Sequence, residues 1–142
     1  RHAFLIRDPQ RVVASYAVKR VEVTADDLGY ARQLEYVDRA AQLSGQPPII
    51  FDSADILREP EAHLRALCTA LDIPWDQGML TWDAGPRQSD GIWASHWYGR
   101  VLQTTGFGQA ESAMSKLEKN EQAIADQCRD AYAQLSEMRI RL

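Results

Sequence analysis

The amino-acid sequence reads His2-Ala3-Phe4-Leu5-Ile6-Arg7-Asp8-Pro9 near its start, a short apolar run followed by a signal for the start of a helix. An apolar run without polar alternation is typical of a strand that is buried on both faces, as in a parallel sheet. Asp8 is a suitable helix N-cap, and Pro9 is a suitable first helical residue. The stretch therefore predicts a strand, a tight turn and a helix from Gln10 to Lys19.

A second apolar run, Ile49-Ile50-Phe51, follows two prolines and predicts a second buried strand. Because both strands lie among helical patterns, the sequence predicts α/β architecture, mostly helical with two short strands. Two strands make a poor sheet by themselves, so we expect 1–142 to be a single, partial domain whose other strands lie outside this sequence.

Capping signals and apolar spacing predict the longer helices. One covers 26–44, begins with a capping box formed by Thr24 and Asp27, and stops at Gly45. Another begins at Glu59-Pro60, with the stripe Leu64, Leu67, Cys68 and Leu71 in the core and His63 exposed. A third is expected within 93–105, and the last covers 116–139, with its N-terminal box at 115–118.

Composition excludes several classes of protein. The 142 residues are 45% hydrophobic and 25% charged, as expected of a folded globular protein rather than a disordered one. A net charge of −4 argues against broad electrostatic binding of nucleic acid. No apolar run approaches the roughly 18 residues that span a bilayer. No secretory signal is visible, so we expect a cytoplasmic protein. The two cysteines indicate neither a disulfide scaffold nor a zinc site, and no metal is expected.

Arg7 and Ser15 are the first candidate binding residues. Arg7 follows the first strand, and ligands of open α/β sheets bind at the carboxyl edge of the strands. Ser15 lies on the second turn of the helix that follows, so a guanidinium and a hydroxyl can converge on one anion. The alternative is a surface contact between Arg7 and Asp8, with the serine bonded to its own helix backbone.

The segment from Arg7 to Tyr16 resembles the sulfotransferase segment that binds the 3′-phosphate of PAPS (3′-phosphoadenosine 5′-phosphosulfate). That family shows an arginine, an Asn or Asp, a proline, and a serine eight residues after the arginine. The stretch 51–61 is similar to the family's Tyr-Glu-Asp-Leu and Asp-Pro-Glu stretch, and 64–75 is similar to the helix that follows. Gly85 to Tyr98 resembles a bacterial sulfotransferase-like branch. The likeness is weak after Gly108.

The resemblance implies a P-loop-type parallel sheet and transfer of a sulfuryl group from PAPS to a small-molecule acceptor. Arg7 and Ser15 would bind the 3′-phosphate, and Arg87 would close over it from a later loop, although a surface turn is the alternative for Arg87. The family's phosphosulfate-binding loop has no counterpart here, because the sequence contains no GxxxxGK[ST] motif. We therefore expect this segment to be inactive by itself.

No catalytic residue is assigned from the sequence. In the family the histidine that deprotonates the acceptor lies upstream of the phosphate-binding strand, so its role does not pass to His96. Trp93, His96, Trp97 and Tyr98 form either a wall of the acceptor pocket or an ordinary core-and-surface helix. Two other functions stay open: a P-loop nucleotide kinase, which would need ATP and magnesium, and a non-catalytic helical interaction module.

Overall fold

Two parallel strands form the sheet. The computed structural model describes residues 1–18, 22–92, 94, 98–109 and 116–142. Strand β1 is Ala3–Ile6 and strand β2 is Ile49–Asp52, with Ala3 opposite Ile49 and Ile6 opposite Asp52. Both predicted strands and their parallel pairing are confirmed.

Helices make up most of the rest of the described chain. They are α1 Pro9–Ala17, α2 Ala25–Leu28, α3 Tyr30–Ser44, α4 Ser53–Arg58, α5 Pro60–Leu71, α6 Lys119–Gln127 and α7 Arg129–Glu137. Two short 3-10 helices cover Gln77–Leu80 and Val101–Gln103. The arrangement is a helix-rich α/β one, as the sequence predicted. No helix in the described parts of the chain combines the length and the apolar character needed to cross a membrane.

Helix α1 begins as predicted. The side chain of Asp8 accepts a hydrogen bond from the backbone N–H of Gln10 at 2.9 Å, and Pro9 occupies the first helical turn. The polar turn at 7–8 thus leads directly from the end of β1 into α1.

The helix predicted over 26–44 is two helices. The capping box is present, since the Thr24 hydroxyl accepts from the N–H of Asp27 while the Asp27 carboxylate accepts from the N–H of Thr24. At Gly29 the backbone turns left-handed, with a φ of 70°, and this ends α2 before α3 begins. A glycine adopts this conformation without steric cost. Gly45 ends α3 in the same way, as predicted.

The last predicted helix is also two, divided at Cys128, and it begins later than predicted. Glu118 caps α6, and its carboxylate and that of Glu121 form the reciprocal capping box. Ser115, which the sequence placed in the box, lies outside the described residues.

The core lies between one face of the sheet and helices α3 and α7. Its buried members are Ile6, Tyr30, Val37, Ile50, Cys128 and Leu135. The sequence placed Cys128 on the apolar stripe of the last helix, and the structure buries it. Cys68, on α5, is buried as predicted.

The opposite face of the sheet is only partly covered. Phe51 of β2 is buried there against His63 of α5, with ring centroids 6.3 Å apart, whereas Leu5 of β1 stays 60% exposed. His63 was predicted to be exposed, and this was wrong: it is buried, and its Nδ1–H donates to the carbonyl of Glu59 at 2.9 Å. The contact with the sheet widens the buried face of α5 beyond its apolar stripe.

The region after α5 folds back on itself. The N–H of Trp82 donates to the carbonyl of Thr105, and the N–H of Gly85 donates to the carbonyl of Leu102. The helix expected over 93–105 appears, among the described residues, as a 3-10 turn at Val101–Gln103 and a helical position at 94. Trp93, His96 and Trp97 lie outside the described residues, so the proposals for these side chains stay untested.

Candidate functional site

The site lies where both strands end. Because β1 and β2 run parallel, their carboxyl ends meet at one edge of the sheet, with Ile6 opposite Asp52. Arg7 and Asp8 follow β1, and helix α4 follows Asp52 directly. Ligands of open α/β sheets bind at this edge.

Arg7 is half-buried at this edge. Its main-chain carbonyl accepts a hydrogen bond of 2.6 Å from the hydroxyl of Tyr30. Burial raises the pKa of Tyr30, and the positive charge of Arg7 opposes that effect only in part. The charge of the guanidinium thus acts on the phenol of Tyr30, and the Tyr30 hydroxyl bonds the main chain of Arg7.

The first backbone N–H groups of α1 are already occupied. The N–H of Gln10 bonds the Asp8 carboxylate, and the N–H groups of Arg11 and Val12 bond the Asp8 carbonyl, each at 3.1 Å. Pro9 has no N–H to offer. An anion at this edge would therefore be held by side chains rather than by the end of the helix.

Ser15 lies on the exposed side of α1. Helix α1 packs on α6, where the amide of Gln10 donates to the side chain of Gln122 at 2.7 Å, and Val13 is buried. At about 100° per residue, Ser15 is turned roughly 200° from Val13, so its hydroxyl is directed away from that interface. Neither Arg7 nor Ser15 is sealed beneath packed hydrocarbon.

Arg87 is exposed on the loop 83–91. Its backbone N–H donates to the Asp90 carboxylate at 2.8 Å, and its guanidinium donates to the carbonyl of Asp83 at 3.3 Å. The hydrogen bonds described for Arg87 thus stay within its own loop. The second of them is long and exposed, so the side chain can leave it at little cost.

Two buried acids at the same edge accept a hydrogen bond on each carboxylate oxygen. Asp52 accepts from the N–H of Ala54 at 2.8 Å and from the hydroxyl of Tyr132 at 2.7 Å. Asp55 accepts from Arg58 at 2.9 Å and from Arg139 at 2.8 Å. Burial would raise the pKa of Asp55, but the two arginines outweigh it and lower that pKa. These carboxylates join helices to the sheet through bonds on both of their oxygens.

Comparison with known proteins identifies the family. A family model described as "Sulfotransferase domain" matches residues 1–135. The chain belongs to the sulfotransferase family. The match continues through α6 and into α7, so the likeness extends beyond Gly108, after which the sequence resemblance was expected to be weak.

Two curated relatives of this sulfotransferase domain come from Arabidopsis thaliana. Branched-chain-amino-acid aminotransferase-like protein 2 is 33% identical over 132 residues, which are 93% of this chain and 23% of the relative. Branched-chain-amino-acid aminotransferase-like protein 1 is 37% identical over 107 residues, 75% of this chain and 19% of the relative. The chain thus spans only about a fifth of the length of the curated relatives it matches. No solved structure matches the chain.

Two tyrosines of the sulfotransferase domain were not predicted from the sequence to lie at the site. Tyr30 and Tyr132 touch edge to face in the core, with ring centroids 6.2 Å apart, and each hydroxyl bonds an acceptor at the carboxyl edge. The sequence does contain a signal for them, because each lies on the apolar stripe of its helix, with Val37 and with Leu135 respectively. A buried tyrosine usually finds a hydrogen-bond partner, so its position predicts a buried acceptor nearby.

Metal ligands are not grouped in the parts of the chain that the structure describes. In those parts no three His, Cys, Asp or Glu side chains come together in a way that could hold a metal ion.

Proposed function

We propose that this domain contributes the 3′-phosphate site of a sulfotransferase that transfers a sulfuryl group from PAPS to a small-molecule acceptor. Arg7 and Ser15 bind the 3′-phosphate, and Arg87 closes over it. The observation that carries the proposal is the position of Arg7, at the carboxyl edge of a parallel sheet in a chain that belongs to the sulfotransferase family.

The occupied start of α1 supports a site made from side chains. Since Asp8 already binds the N–H groups there, the phosphate needs other donors. A guanidinium supplies charge and paired donors, and a hydroxyl adds one directed bond. At about 1.5 Å per residue, Ser15 lies about 9 Å along the helix axis from Pro9. The side chain of Arg7 would have to extend along α1 for Arg7 and Ser15 to contact the same phosphate.

The domain's own contribution to catalysis is positioning. Sulfuryl transfer, like phosphoryl transfer, depends on alignment and on stabilisation of charge. Holding the 3′-phosphate fixes the nucleotide, so that the sulfuryl group meets the acceptor in one orientation. The base that deprotonates the acceptor stays unassigned, and no turnover is expected of 1–142 alone, because the sequence lacks a P-loop motif.

The proposal has finer parts, some implied by the resemblance to the family and others expected from the sequence. They are a P-loop-type fold, 1–142 as part of one sulfotransferase-like domain, a nucleotide and a small acceptor rather than nucleic acid as partners, no metal requirement and a cytoplasmic location. A nucleotide kinase would bind ATP with magnesium, and a non-catalytic interaction module would bind neither nucleotide.

Thermal unfolding of the full-length protein with PAP, the product nucleotide that keeps the 3′-phosphate, tests the proposal. At 100 times its Kd, PAP should add about 2.7 kcal/mol of stability. Arg7→Ala and Ser15→Ala should each remove most of this gain. Arg32→Ala and Ser44→Ala are the matched controls, since both residues are exposed and lie on α3, and they should keep it.

The alternatives give different results in the same assay. Stabilisation by ATP with magnesium, but not by PAP, would indicate a kinase. No stabilisation by either nucleotide would indicate the interaction module. Equal losses in Arg7→Ala and Arg32→Ala would show that PAP binds elsewhere.

A further inference from the structure

The outer edge of β1 is bonded by side chains of α3. The carbonyls of Leu5 and Arg7 are two residues apart, so they point to the same edge of the strand. The amide of Gln33 donates to the Leu5 carbonyl at 2.9 Å, and the hydroxyl of Tyr30 donates to the Arg7 carbonyl at 2.6 Å. The first turn of α3 thus supplies the donors that a neighbouring strand would otherwise supply.

Tyr30 is the firmly held member of this pair. It is only 4% exposed, whereas Gln33 is half-buried. Its ring packs with Val37 and Leu135 in the core and meets the edge of the Tyr132 ring. Gly29, immediately before it, sets the direction in which α3 begins. The hydroxyl therefore has a fixed position relative to the sheet.

The peptide that Tyr30 bonds is the one between Arg7 and Asp8. The orientation of this peptide plane sets the backbone angle ψ of Arg7 and the place where the N-cap of α1 starts. The Cα–Cβ direction of Arg7 depends on the same backbone. A shift of the plane would therefore move the guanidinium relative to α1 and Ser15.

We propose that Tyr30 is a positioning residue for Arg7: its hydroxyl fixes the Arg7–Asp8 peptide, so that the guanidinium is held ready for the 3′-phosphate. This inference rests on the proposed function of Arg7. Burial raises the pKa of the phenol, which favours the neutral hydroxyl that donates this bond. Tyr30 acts through Arg7 and does not touch the nucleotide.

The test compares Tyr30→Phe with Tyr132→Phe in the full-length protein. Both variants keep a core ring and lose one buried hydroxyl, but the Tyr132 hydroxyl bonds Asp52 instead of Arg7. Calorimetry measures the affinity for PAP and for AMP, which lacks the 3′-phosphate. Tyr30→Phe should weaken the affinity for PAP about fivefold to tenfold, which corresponds to the loss of one hydrogen bond. The affinity for AMP should not change. Tyr132→Phe should leave the ratio of the two affinities unchanged.

Two further measurements separate positioning from general destabilisation. In the Arg7→Ala background, Tyr30→Phe should not lower the affinity for PAP any further, because Tyr30 acts on the phosphate only through Arg7. In the nucleotide-free protein, the carbonyl ¹³C shift of Arg7 should change in Tyr30→Phe and stay the same in Tyr132→Phe.

Each result has a distinct meaning. The positioning role is overturned if Tyr30→Phe weakens the affinity for AMP as much as the affinity for PAP, or if its ratio of the two affinities equals that of Tyr132→Phe. The 3′-phosphate site stands in either case. If the unmodified protein binds PAP no better than AMP, or if Arg7→Ala leaves that preference intact, the proposed function fails and this inference fails with it.

Discussion

Asp55 joins distant parts of the chain through two arginines. Arg58 lies one turn after Asp55 on the same helix, α4, while Arg139 follows α7 near the end of the sequence. The carboxylate is mostly buried, and both of its oxygens accept hydrogen bonds. Removing a partner from a buried ion pair destabilises the fold, because the remaining charge stays buried without compensation.

The pairing of Asp55 predicts a pH dependence of stability. Its pKa is lowered in the folded protein from an ordinary value of 3.8, so the charged form stabilises the fold. This contribution is complete above the ordinary value and is lost as the pH falls through the lowered one. At neutral pH, Asp55→Asn should lower the free energy of unfolding by about 2 kcal/mol, and the difference should disappear as the pH falls through the lowered pKa.

Urea unfolding at several pH values checks this prediction. Asp126→Asn is the control, because Asp126 also pairs with an arginine and has a lowered pKa but lies exposed on the surface. An exposed ion pair contributes little to stability, so this variant should change little at any pH. A constant difference for Asp55→Asn across the acid range would contradict the prediction.

Single residues show where the sequence was informative and where it was not. Asp8 was predictable as a cap because its bonds are local, two to four residues along the chain. The burial of His63 was not, because it depends on Phe51, which reaches α5 only in the folded molecule. For the same reason the tie from Tyr30 to Arg7, 23 residues apart, could not be placed from spacing.

At the scale of the element, Gly29 separates α2 from α3. Its φ of 70° is unfavourable for any residue with a Cβ, although a Cβ built there meets nothing within 4 Å. The cost of a substitution is therefore conformational rather than steric. Gly29→Ala should lower the free energy of unfolding by about 1–2 kcal/mol, as measured in urea.

Gly91 provides the control for that substitution. A Cβ at Gly91 also has open space, and its φ lies outside the left-handed region. Gly91→Ala should therefore change stability by less than about 0.5 kcal/mol. Equal effects of the two substitutions would mean that α2 and α3 can join into one continuous helix without cost.

Helix breaks were harder to predict than helix starts. The glycine at 29 is visible in the sequence, yet the apolar spacing continues past it, and the spacing favoured one helix over 26–44. At Cys128 the sequence carries no breaker, and the backbone there is still near helical, with φ −86° and ψ −10°. The burial of Cys128 and Leu135 against the sheet, rather than local propensity, accompanies this division.

At the scale of the whole molecule, the C-terminal segment forms a hydrogen bond with one edge of the sheet. The N–H of Ile140 donates to the carbonyl of Ile50 at 2.9 Å, on the outer edge of β2. Tyr132 bonds Asp52 at the end of the same strand. On β1 the side chains of α3 serve the corresponding purpose. Both outer edges of the two-stranded sheet are thus partly bonded, which explains how so small a sheet can be held.

The last prediction concerns the contact between α7 and the sheet. Leu135 is fully buried and packs with Ile6 and Ile50, one from each strand. Leu135→Ala removes apolar contacts on a residue with no exposed surface and should lower the free energy of unfolding by about 2–5 kcal/mol. Leu43, also on a helix, is 76% exposed, so Leu43→Ala should cost less than about 0.5 kcal/mol.

Urea unfolding followed by circular dichroism measures both variants. If α7 belongs to the same cooperative unit as the sheet, Leu135→Ala should shift a single transition to lower urea without splitting it, since one core holds both. A separate early transition would show that α6 and α7 unfold independently. Tyr132 and Arg139 would then be unable to hold the carboxyl edge of the sheet while the rest of the domain is folded.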